Sequence, residues 1–289
     1  MIFEEIIHQY NDCIKEAVDE LLLNAYKNQK NNADLLLVLQ NGLKKDYPEE
    51  TLERLKITPY QIGNDIIDFR YHSFYNFINV YRENIYKKVE HKSELEKNSF
   101  DRNYIYHYHI EQELLIYMKF WETDLILRRL FNLSRLAQGL EYFWEFNQTF
   151  FNARRIVIKD EIQKDLEGIS PKFFNLINEI YSRQIRNAIA HSQYYLMYDC
   201  INLTNIDESI HYKLNSIPYD DWEILFHKNI LLYSHLIRGF NEYSLKYREQ
   251  VEKKQNGLLI VFPELNSKGI NNTGWVKYDK VTNQWYWNQ

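Results

Sequence analysis

A chain of 289 residues is long enough to bury one large apolar core or two smaller ones, so length leaves the number of domains open. With 45% hydrophobic residues but only 8 Gly and 5 Pro, the composition excludes a low-complexity chain and a loop-rich all-β fold, and it points to long helices. The 35 Lys and Arg against 40 Asp and Glu give a formal net charge of −5, which excludes a chain-wide basic field; any nucleic-acid site has to be locally basic.

In chain order, Phe3, Ile7, Tyr10, Ile14, Val18, Leu21 and Leu22 recur at three- and four-residue spacing, which predicts an amphipathic helix ending near Asn28. Gln29-Lys30-Asn31-Asn32 reads as a connector, and a second helix is expected over Ala33 to Lys45, before Tyr47-Pro48 interrupts it. A third helical segment is expected from about Tyr60 to Lys92, with a polar loop from Lys92 to Arg102 after it. From Tyr104 to about Phe151 the periodicity runs on without Pro, which allows one long bent helix or two helices meeting near Gly139. Ser170 as N-cap and Pro171 as first helical residue open a helix expected to reach His191.

Beyond it, the β-prone runs Tyr194 to Leu203 and Ile210 to Leu214 are expected to pair as a small hairpin. Pro218-Tyr219-Asp220-Asp221 opens a further helix, which Trp222, Leu225, Ile230, Leu232, Leu236 and Phe240 carry towards Val251. The end of the chain changes character: a strand-like Leu258 to Phe262 precedes a hairpin signal in Trp275-Val276-Lys277-Tyr278 and Gln284-Trp285-Tyr286-Trp287. The sequence therefore divides into an N-terminal helical arm (1–58), a helical bundle (59–254) and a small C-terminal β tail (255–289).

Cys13 and Cys200 form no CxxC pair, which suits a reducing, cytoplasmic setting. Met1-Ile2-Phe3-Glu4-Glu5 places acids where an export signal carries positive charge, and no run of about 18 apolar residues occurs, so no membrane partner is expected.

The chemistry concentrates on the Pro171 helix. At about 100° per residue, Phe174, Ile177, Tyr181, Ile185 and Ala188 fall within an arc of about 80° and define a core face. Measured from Ile177, Arg186, Ala190, Arg183, Asn187 and His191 fall at about 180°, 220°, 240°, 280° and 320°. Asn187 and His191 are four apart and neighbour each other, while Arg186 is long enough to reach back. Ala190 offers only a methyl group among these donors, which leaves room for an approaching group, and a phosphate suits them.

The pattern Arg186-Asn187-x-x-x-His191 near the end of a helix resembles the HEPN superfamily. Its context is similar too: helices precede the motif, a short irregular or hairpin segment follows, and an Asp221-Trp222-led helix closes the bundle. The resemblance covers residues 104 to 250 and leaves out the N-terminal arm and the C-terminal tail. It implies a mainly α fold, a HEPN-like helical bundle with a small β-hairpin insert, to which this chain adds a short C-terminal β unit. It also implies a homodimer in which two copies of the motif face each other across a composite cleft. Catalytic members cut single-stranded RNA without metal or other cofactor. That chemistry needs a group to take the ribose 2′-OH proton, donors for the charge building on the phosphorane, and an acid for the leaving 5′-oxygen. His191 is assigned the proton transfer, Arg186 the phosphate, and Asn187 the orientation of one of them. The expected function is a metal-independent endoribonuclease in a toxin or antiphage-defence role, with RNA as substrate and an antitoxin or other regulatory protein as a further partner. The alternatives are a non-catalytic HEPN module that binds nucleotides or partner proteins, which the acidic balance favours, and a helical scaffold with an incidental motif.

Arg183, Arg128, Arg129 and Tyr194 are the candidates for RNA binding, and Arg154-Arg155 is a second source of local charge; solvated surface or packing is the competing reading for each. Trp285 and Trp287 are ambiguous in the same way, between base stacking and a small β core. The motif recurs at Arg102-Asn103-Tyr104-Ile105-Tyr106-His107, but at a helix start and with bulky intervening residues, so that copy is read as coincidence. His107 and His109 point about 200° apart on a helix and cannot share one ion, so no metal site is expected. Gln193 stands where some HEPN toxins carry a modified Tyr, and that regulation is not carried over.

Overall fold

The apolar spacing of the first segment is realised as helix α1 (Phe3–Asn28), which buries Ile14, Val18, Leu21 and Leu22. The computed structural model describes residues 3–45, 48, 50–51, 58–62, 75–76, 78–80, 99–146, 162, 166–204, 214–253, 257–263 and 271–288. Over these residues the chain is mainly α-helical with small antiparallel sheets.

Helix α2 covers only Asp34–Leu39 instead of reaching Lys45. Asn41 adopts a left-handed φ of 54°, and the Gly42 N–H donates to the Leu37 carbonyl at 2.8 Å, so Asn41-Gly42 turns the chain into strand β1 (Leu43–Lys44). Strand β2 (Tyr60–Gln61) pairs antiparallel with β1, so the third segment does not begin as helix at Tyr60. Most of that segment, and the expected loop as far as residue 98, lies outside the described residues.

Helix α3 (Ser99–Glu122) begins before Arg102, and α4 (Asp124–Ala137) follows at once. The long periodic segment is broken at Thr123 rather than at Gly139. The Thr123 hydroxyl donates back to the Lys119 carbonyl at 2.6 Å while Asp124 opens the next helix. Gly139, at φ 76°, terminates α4, and residues 140–146 are not helical.

The expected Pro171 to His191 helix is two helices, α5 (Pro171–Ile180) and α6 (Arg183–Ala190). The first β-prone run then folds back on itself as β3 (Tyr194–Leu196) and β4 (Cys200–Leu203), with Tyr195 opposite Asn202. The strand that joins β4 on its other side is β5 (Ser216–Pro218), not Ile210 to Leu214, of which all but Leu214 lies outside the described residues. Helix α7 (Tyr219–Glu252) starts where Pro218 and the two acids of its first turn place it. The chain ends in an antiparallel sheet β6-β7-β8 (Leu258–Pro263, Asn271–Asp279, Gln284–Asn288) with Lys277 opposite Tyr286.

The residues gather into two compact units: Met1–Asp12, Asp68–Ile126 and Asn178–Leu231 form the first, and Cys13–Ile67, Leu127–Ile177 and Leu232–Gln289 the second. These stretches do not coincide with the three consecutive parts 1–58, 59–254 and 255–289 drawn from the sequence.

The first unit is built on an aromatic core in which Tyr117, Trp121, Trp222 and Phe226 are fully buried. Its buried polar ends are matched: the Trp222 indole N–H donates to Glu113 at 2.9 Å and the Trp121 indole N–H to Asn229 at 3.0 Å. The second unit buries Leu21, Leu22, Leu36, Leu133, Phe173 and Tyr247, and Gly239 lies so close to Leu22 that an added Cβ would meet its Cδ1 at 2.2 Å. In the terminal sheet Trp285 is buried, and Trp287 packs its ring edge on Phe262 and donates to the Tyr60 carbonyl at 2.8 Å. Packing is therefore the role of Trp285 and Trp287, and the exposed aromatics of that sheet are Trp275 and Tyr286.

Candidate functional site

The motif helix owes its start to a break that sequence periodicity does not show. Ser182 is extended (φ −121°, ψ 114°), and its hydroxyl accepts the Ile185 N–H at 3.3 Å, the N-cap contact that opens α6. The break is clamped from α3 and α7. The buried Tyr117 hydroxyl accepts the Ser182 N–H at 2.8 Å and donates to the Ile180 carbonyl at 3.2 Å. Asn229 donates to the same carbonyl at 3.3 Å while its own oxygen holds the Trp121 indole. The peptide groups that a helix interruption leaves over thus find partners inside the core.

The interruption changes which residues face inward. Ile185, Ala188 and Ile189 are buried on α6, and Phe173, Leu176, Ile177 and Ile180 on α5. Phe174 and Tyr181, expected on the core face of one continuous helix, are only half-buried.

At its other end α6 closes on His191. The Gln193 N–H donates to the Ala188 carbonyl at 2.8 Å and the Ser192 N–H to Ile189 at 3.2 Å, with Ser192 at φ 54°. This is the Schellman arrangement, with Ser where Gly is usual. It fixes the His191 backbone as C-cap (φ −107°, ψ 9°), and the residue is exposed, as is Ala190. Asn187 and Arg183 are half-buried, one and two turns earlier.

Arg186 is held differently. Its Nη1 lies 3.1 Å from Glu122 Oε1, with 16% of the Arg186 side chain and 29% of the Glu122 side chain exposed. Tyr181 flanks the pair, its ring 4.8 Å from that of Trp121. Burial pushes the Tyr181 hydroxyl above its ordinary pKa, against Arg186, which acts by its charge and by side-chain hydrogen bonding, and against the charge of Arg183; the contact with Arg186 falls short of good hydrogen-bond geometry. The Arg186 Nε is buried and makes no well-formed hydrogen bond among the described residues. Glu122 went unnoticed in the sequence, because nothing in a Glu at the end of α3 announces a partner 64 positions later (186 − 122).

The remaining candidates are otherwise engaged, belong to the other unit or lie outside the described residues. Tyr194 donates its hydroxyl to Glu111 at 2.6 Å, and burial and that carboxylate raise its pKa. Tyr195, next to it, is exposed. Arg128 and Arg129 belong to the second unit: Arg128 is buried beside the Phe146 ring, and Arg129 donates to Asn41 at 2.9 Å and to the Leu39 carbonyl at 3.3 Å while lying over Phe240. Arg154-Arg155 lies outside the described residues, as do the side chains of Arg102, Asn103 and His107.

Among the described residues no group of three or more His, Cys, Asp or Glu side chains could hold a metal ion, and no helix is long and apolar enough to cross a membrane. Arg183, Arg186, Asn187 and His191 thus sit on or at the end of one eight-residue helix, a set able to bind an oxyanion and move a proton. No family model, curated protein or solved structure significantly matches the chain.

Proposed function

We propose that this protein is a HEPN-type, metal-independent endoribonuclease that cuts single-stranded RNA by attack of the ribose 2′-OH. The observation that carries the reading is the exposed end of α6, where His191 and Ala190 are open and Asn187, Arg183 and Arg186 lie within one or two turns. In this reading His191 transfers the proton, Arg186 binds the phosphate, and Asn187 orients one of them, with Arg183 adding positive charge. A second copy of the chain completes a composite cleft, and the role is that of a cytoplasmic toxin or antiphage effector, restrained by an antitoxin or regulatory protein.

A second reading is favoured by the net charge of −5 and by the Glu122 carboxylate already on Arg186. There the same helix end binds a nucleotide or a partner protein without cutting. Purified protein incubated with single-stranded RNA in EDTA separates the two. The expected products carry 2′,3′-cyclic phosphate ends, and His191→Ala and Arg186→Ala each lower the rate at least roughly 100-fold, whereas His107→Ala does not. Cleavage by His191→Ala at the wild-type rate refutes the assignment.

A further inference from the structure

Arg186 reaches the end of α6 already attached to a carboxylate from another helix. Glu122 is the last residue of α3, one position beyond the fully buried Trp121, whose indole is fixed to Asn229 and whose ring lies on Tyr181. The carboxylate is therefore presented from a rigid helix end rather than from a loop. Its contact with Arg186 Nη1, at 3.1 Å, is mostly covered, so solvent screens it less than a surface pair. The contact pairs the charges without good hydrogen-bond geometry, so it anchors one terminal nitrogen of the planar guanidinium and narrows the directions that its other donors can take. Those donors include Nε, which makes no well-formed hydrogen bond among the described residues. A buried donor in that condition is costly, and because it is covered, an arriving phosphate oxygen meets the exposed part of the guanidinium, 16% of the side chain being open.

We propose that Glu122 is a positioning residue: it orients the Arg186 guanidinium for the scissile phosphate and acts through Arg186 without touching RNA. This rests on the ribonuclease reading above. The same contact between a lysine and Glu122 would use up its one charged nitrogen, whereas an arginine keeps further donors beyond the contact, which is why an arginine suits the position.

The test measures kcat and KM separately for full-length wild type, Glu122→Ala, Glu122→Gln, Arg186→Ala and the Glu122→Ala/Arg186→Ala double variant, on single-stranded RNA in EDTA, with folding checked by thermal melting. Glu122→Ala is expected to lower kcat roughly tenfold with a smaller change in KM. Glu122→Gln, which keeps an acceptor oxygen for Nη1, recovers most of the loss. The double variant is no slower than Arg186→Ala, because a positioning residue has nothing left to position. If Glu122→Ala does not fold, Glu122→Asp withdraws the carboxylate by one methylene and is held to the same expectation. Wild-type or higher activity of the folded variant overturns the proposal and marks Glu122 as a bystander or as a competitor of the phosphate. Failure of the wild type itself to cut RNA is a different result, which removes the ribonuclease reading and this inference with it.

Discussion

Two arginines, one in each unit, meet different fates. In the second, Arg129 is engaged from three sides, by Asn41, the Leu39 carbonyl and the face of Phe240. In the first, Arg186 has one nitrogen on Glu122, a buried Nε that makes no well-formed hydrogen bond among the described residues, and an exposed His191 five residues on. The difference teaches that neither charge nor an unsatisfied Nε is enough, since the Nε of Arg238 and Arg248 shares that condition; what sets Arg186 apart is the exposed His191 at the end of the same helix. In a chain of net charge −5, the attraction for an anion has to be local.

The sharpest way to break this comparison is to make the same change at both arginines. Arg186→Lys keeps the charge but loses the fork, and kcat/KM for RNA is expected to fall by roughly 10- to 100-fold. Arg129→Lys is expected to cost only about 1 kcal/mol of stability in urea titration and to leave cleavage by the folded protein intact. Equal loss of cleavage in the two folded variants would abolish the distinction.

A second contrast concerns pH. His227, in the first unit, has its pKa pulled down to about 4 from 6.5 by burial, partly offset by the Glu223 carbonyl. Between these values the unfolded chain takes up a proton that the folded chain does not, so stability falls as pH drops through the window, by on the order of 3 kcal/mol. Asp34, in the second unit, has the opposite sign: burial raises its pKa from 3.8 to about 6 against the Asn31 hydrogen bonds. There the unfolded chain releases its proton first, and stability falls as pH rises through that range. Unfolding of wild type and His227→Phe measured at pH 7 and pH 4.5 should show a smaller acid loss in the variant, and parallel losses would show that His227 is not the group responsible.

Smaller effects are expected from the backbone. Gly239→Ala puts a methyl group into the space of Leu22 and should cost about 1–3 kcal/mol as a fall in Tm, without touching the motif. Ser182→Ala removes the N-cap of α6 and should cost about 1 kcal/mol. Because that cap sits at the motif helix, it is the stability variant expected to lower cleavage as well; an unchanged kcat would show that the Tyr117 and Asn229 clamp alone sets the helix.

Much of the local structure was legible because its signals are local. The spacing of Ile14, Val18, Leu21 and Leu22 defined α1, the Pro218-Tyr219-Asp220-Asp221 start defined α7, and the alternation around Trp275 and Trp285 defined the terminal hairpin. Some signals were present but outvoted: Asn41-Gly42, Thr123-Asp124 and Ser182 each carry stop or cap chemistry inside an apolar period that continues across them. The motif residues Arg186, Asn187 and His191 were legible as a helix-end cluster, whereas the correct inward face of α5 and α6 was not.

The sequence by itself determined the helical character of the chain, the caps and turns that use neighbouring residues, and the placement of a polar set near the end of a helix. Only the tertiary structure decided that the helix breaks at Ser182, that Ile189 turns inward while Tyr181 stays half-exposed, and that Arg186 meets Glu122. The reason is one of range. A helix period and a cap are fixed by residues three or four apart. The peptide groups freed at the break are satisfied by Tyr117 and Asn229, 65 and 49 residues distant, through contacts that exist only once the core has formed.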